Sequence, residues 1–516
     1  MTYAAASSRR SRSIPTRTLA VALGLALTSI LAACTPAASP SPSVAERTLS
    51  VGATLEPASM DPWHNPAASI PQVLLYNVYE TLVKVDSSGN IKPLLAQAWE
   101  VSPDRTTYTF HLSPAAKFAS GAPVDAAAVV ANITRLKTDA KITETLRAQL
   151  AVVSGVEATG ADQVQVTLTQ PSLMWLYDMS STLGMILDPA FTGDLATGSG
   201  GSGPYVVKSH TQGESVVLAD NAKYWGNPAR FDEVTFRYSA DPNPQVASML
   251  SGDLDVISNL QSPDALSQFA DSSQFTITTG TTNGEVVLGL NHDSKALAKL
   301  EVRQALTMGI NRRDLIDTVW NGQGTLIGSM AVPTDPWYED LSATNAYDPV
   351  TARSLLKTAG YTEKSPLTLR LRVPVIPYAV KSAQYVASQL RDIGVKVTVD
   401  ELDFTRWLDE VFTKGDYDMT IVAHVEARDL GSFANPKYYW HYKDPTFAQL
   451  YAAAVQAASE EEGNELMKQA TRELADQAAA IWLFALPNLA ITKSTITGVA
   501  QNATTLSFDL TTITSR

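Results

Sequence analysis

Six histidines, one cysteine and 52 acids bound the chemistry open to this 516-residue chain. The histidines (His64, His111, His210, His292, His424 and His441) are scattered, with no HExxH and no pair at ligand spacing. Their spacing therefore points to no preformed metal site. The lone Cys34 excludes internal disulfides, CxxC redox chemistry and cysteine-based zinc sites. Gly200-Gly201-Ser202-Gly203-Pro204 fails as a nucleophile elbow at its last position. Gly198, Gly200 and Gly203 make a formal GxGxxG, but Pro204 and a predicted strand follow where a pyrophosphate needs a helix N-terminus. No activated nucleophile and no carboxylate pair stands out. The residues read as a binder without a cofactor rather than as an enzyme.

Binding chemistry is better represented. His424-Val425-Glu426-Ala427-Arg428-Asp429 follows a predicted parallel strand, and in open α/β sheets ligands collect outside such strand ends. The competing reading is an internal Glu426–Arg428–Asp429 surface ion pair of little energetic weight. Arg370 and Arg372 can offer a guanidinium fork to a carboxylate, or form the solvated face of an alternating strand. Tyr438, Tyr439 and Trp440, and separately Trp482 and Phe484, can wall a pocket, since aromatics give area at low entropic cost. Core burial competes for Trp482 and Phe484.

These side chains need elements to hold them. Val286, Val287, Leu288 and Leu290 make an apolar run suited to a buried strand. Val302, Ala305, Leu306, Gly309 and Ile310 recur at helical spacing; Asn311 then reads as an N-cap with Asp314 three residues on, and Asn321-Gly322 as the stop. Asp348-Pro349 and Gly360 bracket another helix. Strands are predicted at Leu367–Val373, Val395–Val399 and Tyr417–Val425, with helices through Tyr385–Leu390 and Phe404–Phe412 between them, implying a largely parallel sheet. Earlier, Thr48–Ala53 reads as a first strand, Gln72–Leu82 as helical, Thr107–Leu112 and Val164–Leu168 as strands, and Asp125 as a helix cap. Thr197–Gly203 is Gly/Ser-rich and reads as a crossing between domains.

LGLN, a loop and EVRQALTMGINRRDLI resemble the signature of the extracytoplasmic solute-binding proteins of family 5, which serve peptide, nickel and opine ABC importers. Leu55–Pro62, Leu95–Val130 and Gly201–Gly226 look like the family's other landmarks in the same order. The resemblance implies a type II periplasmic-binding-protein-like α/β fold, two α/β lobes with an extra inserted α+β domain (cluster C). It further implies lobe I from residues 48–66, 190–285 and 488–516, the inserted domain from 67–189, and lobe II from 286–487. A solute, first a short peptide, then a nickel or other metal chelate, an opine or a sugar, is expected between the lobes, with an ABC permease and ATPase complex as partner. The family's peptide binders place a tryptophan and then an aspartate that pairs with the ligand's α-amine near residue 424. Here His424 stands near the tryptophan's place and Glu426 or Asp429 must replace the aspartate; Glu56 lines up with another ligand-side position. Rival classes are an exported lipoprotein enzyme and a surface adhesion or chaperone module.

The first 33 residues read as a signal peptide, with Arg9, Arg10, Arg12 and Arg17 before the apolar stretch Leu19–Ile30. Leu31-Ala32-Ala33-Cys34 reads as a lipobox, which makes Cys34 the lipidation site, and residues 34–47 as a Pro/Ser-rich tether. Loss of the four leader arginines takes the formal charge from −13 to −17, which argues against nucleic acid as a partner. The expectation is a monomer held outside the cytoplasm by its lipid.

Overall fold

The structure, a computed structural model, describes residues 47–196 and 200–516; the leader, Cys34, the tether to residue 46 and Thr197 lie outside the described residues. Its spine is a ten-stranded mixed sheet. The strand order is Lys396–Leu402, Thr368–Pro374, Met419–His424, Phe275–Leu290, Ile481–Lys493, Val256–Ile257, Thr48–Ala53, Glu233–Tyr238, Ser215–Asp220, Tyr205–Thr211.

Two long strands join the halves of this sheet. Phe275–Leu290 and Ile481–Lys493 run antiparallel, with register shifts between Thr281 and Glu285 and between Val286 and Val287. Before the shifts, Ile491 and Thr492 pair with Ile257 and Val256 of the first half. After them, Glu285 through Leu290 pair with His424 through Met419 of the second half. Such irregularities bend and twist a strand, so the passage between halves falls at this joint. Thr48–Ala53 pairs in parallel with Glu233–Tyr238 and Val256–Ile257, and the parallel pairing expected from the sequence is found among Lys396–Leu402, Thr368–Pro374 and Met419–His424. The neighbouring pair is antiparallel because these strands arrive from the other half rather than through a helical crossover.

The apolar run after Glu285 is buried on both faces. Val286, Leu288 and Leu290 join Val302, Leu306, Leu371 and Val386 on one side. Val287 faces the opposite way, among Trp337, Trp407, Trp440 and Trp482. Alternation across a covered sheet explains why the run shows no polar face.

Local chemistry sets the ends of the surrounding helices. Asn311 accepts from the Asp314 N–H at 3.1 Å and starts Arg312–Val319, after which Asn321 and Gly322 both take positive φ. Asp348 caps Pro349–Thr358, with Gly360 at φ 97° beyond it, and Asp125 caps Ala126–Thr138. Two helices are shorter than their periodicity suggests. The one expected over Gln72–Leu82 is Ser69–Leu74, because Tyr76 at φ 66° turns the chain and its hydroxyl donates to the Ser180 carbonyl. The other is α-helical only over Phe404–Trp407 and continues as a π-turn over Leu408–Thr413.

The segment between the first strand and Tyr205 builds its own antiparallel sheet, Ala96–Val101, Thr107–Leu112, Gln163–Leu168, Val153–Ala158. Its Tyr108, Phe110, Val164 and Val166 share one cluster with Leu49, Val51, Val234 and Phe236 of the main sheet. Gly201 and Gly203 serve close approach: a Cβ there would stand 1.9 Å from the Val78 carbonyl oxygen and 2.4 Å from that of Asn77. Residues 500–504 lie across the joint. The Ala503 N–H donates to Thr281 O, while Asn502 and Thr504 side chains donate to the carbonyls of Ser87 and Asp86.

Candidate functional site

The strand Met419–His424 ends at His424, and Arg428, at φ 61°, turns the chain into the short 3-10 helix Asp429–Ala434. The turn gathers His424, Glu426 and Asp429, one donor atom of each lying within 4.8 Å of the others. His424 is buried, with Nδ1 2.8 Å from Asp429 Oδ2 and Nε2 2.9 Å from the Tyr439 hydroxyl. Burial pulls the imidazole's pKa down, but the hydrogen bond and charge of Asp429, with Glu426, outweigh it and the pKa is raised. Tyr439 stacks on the ring at 6.1 Å and Trp440 lies at 5.1 Å.

Three further acids converge here that the sequence reading did not single out. Glu285 sits directly across the ladder from His424, so both side chains leave the same face of the sheet. It is only 3% exposed, its Oε2 has no partner, and burial together with Asp429, Asp335 and Glu426 pushes its carboxyl well above the usual range. Burial raises Asp335 to about 6 and Asp178 to about 7, against the opposing charge of Arg428 in each case. Both are half-buried. Asp429 Oδ1 and Ser432 Oγ are also buried without partners. Unmet polar atoms concentrated at one place are costly and call for an occupant.

Arg428 is the cation of the group. Its guanidinium lies 3.7 Å from the Tyr177 ring centre and 5.3 Å from that of Trp337. Among the described residues it forms no ion pair, so the Glu426–Arg428–Asp429 surface pair does not exist. Tyr177 in turn donates to the Thr504 carbonyl, as does the Asn283 amide. The Arg428–Tyr177 contact thus links the second half of the sheet to the inserted segment. Leu173 N–H to Val455 O at 2.8 Å and Lys381 to Asp264 at 3.3 Å span the same divide.

The other candidates divide. Trp440 and Trp482 are both buried; Phe433 stacks on the first at 5.5 Å and tilts against the second at 6.1 Å, and both indole N–H groups are unpartnered. Arg370 and Arg372 are both engaged by neighbouring acids. Arg370 pairs with Asp416 at 2.6 Å, and the buried Arg372 is held by Glu410, Asp416 at 3.0 Å and Asp400 at 3.7 Å. The neighbouring strand Lys396–Leu402, the π-turn and the loop before Met419 supply these acids, which the alternating strand pattern gave no sign of. Glu56 accepts from Gly213 N–H at 2.8 Å and lies 3.1 Å from His210 Nε2, fastening its loop to the Ser215–Asp220 hairpin. The structure gives it no contact with the 424–429 group.

The sequence profile of the bacterial extracellular solute-binding proteins, family 5 (middle region), matches residues 90–448. This chain belongs to that family. Its members are substrate-binding proteins of ABC importers, not enzymes, and work outside the cytoplasm with membrane permeases. As a family 5 solute-binding protein it is 26% identical over 342 residues to the nickel-binding periplasmic protein of Escherichia coli K12, spanning 62% of this chain and 65% of that protein. It is 25% identical over 479 residues to the probable D,D-dipeptide-binding periplasmic protein DdpA of the same strain, spanning 84% and 88%. The crystal structure of NikA from Brucella suis in complex with Fe(III)-EDTA superposes with a TM-score of 0.81 at 22% identity, covering 91% of this chain and all of that one. The family 5 solute-binding protein therefore has the type II periplasmic-binding-protein fold. Among the described residues no helix is long and apolar enough to cross a membrane.

Proposed function

We propose that this solute-binding protein captures a solute carrying a positive charge, foremost a short peptide recognised by its α-amine, and delivers it to an ABC permease while held to the membrane through a lipid on Cys34. The observation that carries the reading is the convergence of Asp178, Glu285, Asp335, Glu426 and Asp429 on a cleft in which Arg428 is occupied by aromatic faces. Acids outnumber cations there, and an ammonium group lets the raised carboxyls ionise and accept charge-assisted hydrogen bonds. A neutral sugar brings no such charge.

Lobe I (48–66, 190–285, 488–516) with the inserted domain (67–189) closes on lobe II (286–487) about the register-shifted joint. The contacts between Arg428 and Tyr177 and between Leu173 and Val455 belong to the closed state, which the solute stabilises by touching both faces. Binding of peptides with free and N-acetylated termini, followed by calorimetry, tests the reading. Acetylation, and Asp429→Asn with a free amine, should each weaken binding by about 2–5 kcal/mol. Equal affinity for the two peptides would remove the amine from the reading.

A further inference from the structure

We infer that Arg428 and Tyr177 form a clasp that holds the two lobes together before any solute arrives, so that this pair, and not the solute alone, sets the share of closed protein. This rests on the reading of the lobes as closing on one another, and goes beyond it by naming the side chains that bias closure without a ligand. The Arg428 guanidinium lies 3.7 Å from the centre of the Tyr177 ring, which belongs to the inserted segment, and 5.3 Å from that of Trp337, which belongs with Arg428 to the other side of the divide. A guanidinium is planar and weakly hydrated, so an aromatic face holds it in a way that the compact, strongly hydrated ammonium of a lysine does not match.

Each half of the clasp is fastened to its own side. The Tyr177 hydroxyl donates to the Thr504 carbonyl at 2.9 Å, and the Asn283 amide donates to the same oxygen at 2.8 Å. Thr504 Oγ1 donates in turn to the Asp86 carbonyl at 2.7 Å. The ring is therefore tied to the first half of the molecule and does not follow Arg428 when the lobes part. Arg428 is fixed through its backbone: φ 61° is sparsely used by residues with a Cβ, and the next residue, Asp429, is bound to the buried His424 at 2.8 Å. Asp178, next to Tyr177, and Asp335, two residues before Trp337, both feel the charge of Arg428, one from each side. The Lys381–Asp264 pair spans the same divide at 3.3 Å but is exposed, where water and salt screen it. It contributes little beside the clasp.

Amide exchange of the full chain, freed of co-purified solute, tests the inference. The Leu173 N–H bonds to the Val455 carbonyl across the divide at 2.8 Å, so it exchanges only when the two sides part. Arg428→Gln and Tyr177→Leu should each speed that exchange about tenfold and enlarge the radius of gyration in small-angle scattering, and the double variant should go no further than either alone. Tyr177→Phe keeps the ring and should leave the exchange within about twofold of wild type. The Leu288 amide, in the middle of the main sheet, should exchange as before in every variant, which separates parting lobes from unfolding. Unchanged exchange at Leu173 in both single variants overturns the inference. Faster exchange at an unchanged radius of gyration overturns it as well, since only the contact would then have loosened. Trialanine, at a concentration that calorimetry shows to be saturating, judges the closure reading apart on the Arg428→Gln chain: compaction there alongside a failed clasp removes the inference alone, and no compaction removes both.

Discussion

Two buried glutamates, one in the inserted segment and one at the joint of the main sheet, meet opposite fates. Glu80 has no exposed surface, yet both of its oxygens are served: the Tyr224 hydroxyl and the Trp225 indole each donate to it at 2.8 Å. Glu285 is almost as deeply buried, but Oε2 has no partner and its charged neighbours are acids. Burial raises both carboxyls, Glu80 to about 7 and Glu285 well above the usual range. One acid is a finished piece of scaffold. The other is completed only by something that comes from outside. Burial and an elevated pKa do not by themselves mark a functional group; the missing partner does.

The comparison breaks most visibly if the scaffold acid is removed. Glu80→Ala leaves two buried donors unmet and a void beside Tyr224 and Trp225, so unfolding free energy should fall by about 3–5 kcal/mol. Denaturant unfolding of the solute-free protein measures it, and a loss under 1 kcal/mol would contradict the description of Glu80 as satisfied.

Next comes pH. A carboxyl of ordinary pKa near 4.5 in the unfolded chain and about 7 when folded binds more protons folded than unfolded between those values. Its stabilising contribution is therefore fully present below about pH 4.5 and is lost as the pH rises to 7, roughly 3 kcal/mol in all. Glu80→Gln should flatten the decline over that window. His292, drawn down to about 4 by burial, acts with the opposite sign and is untouched by the substitution. An unchanged slope in the variant would show that Glu80 does not carry the titration.

The smallest effect on folding should come from the site acid. Glu285→Gln removes a repelled carboxyl, so solute-free stability should stay the same or rise by up to about 1 kcal/mol. Affinity for the free-amine peptide should drop about tenfold. If Glu285→Gln instead destabilises the protein as much as Glu80→Ala, the two glutamates do the same work and the contrast fails.

How much of this was readable beforehand follows the range of the interactions. Caps are local, and Asn311, Asp348 with Pro349 and Gly360, and Asp125 were legible because their partners lie two or three residues away. His424 to Asp429 was legible as a polar strand end. The other acids were not, since Glu285 meets His424 only through a register that spans 139 residues, and Asp335 and Asp178 sit in segments without a motif. One sign was present: Glu285 is a lone acid just before the apolar run that starts at Val286. Arg370 and Arg372 misled for the same reason in reverse, because the acids that occupy them, Glu410 and Asp416, belong to another element.

The strap that crosses the joint bears on how the molecule comes into being. Asn77 donates to the Phe508 carbonyl and accepts from the Leu510 N–H, contacts that reach 431 and 433 residues along the chain. Ser507 reaches Leu75 in the same way. The first elements to emerge thus wait for residues 504–516 before their polar groups are met, and loop closure over such distances is slow. A nascent chain therefore stays incompletely folded along its opening segment until these late residues arrive.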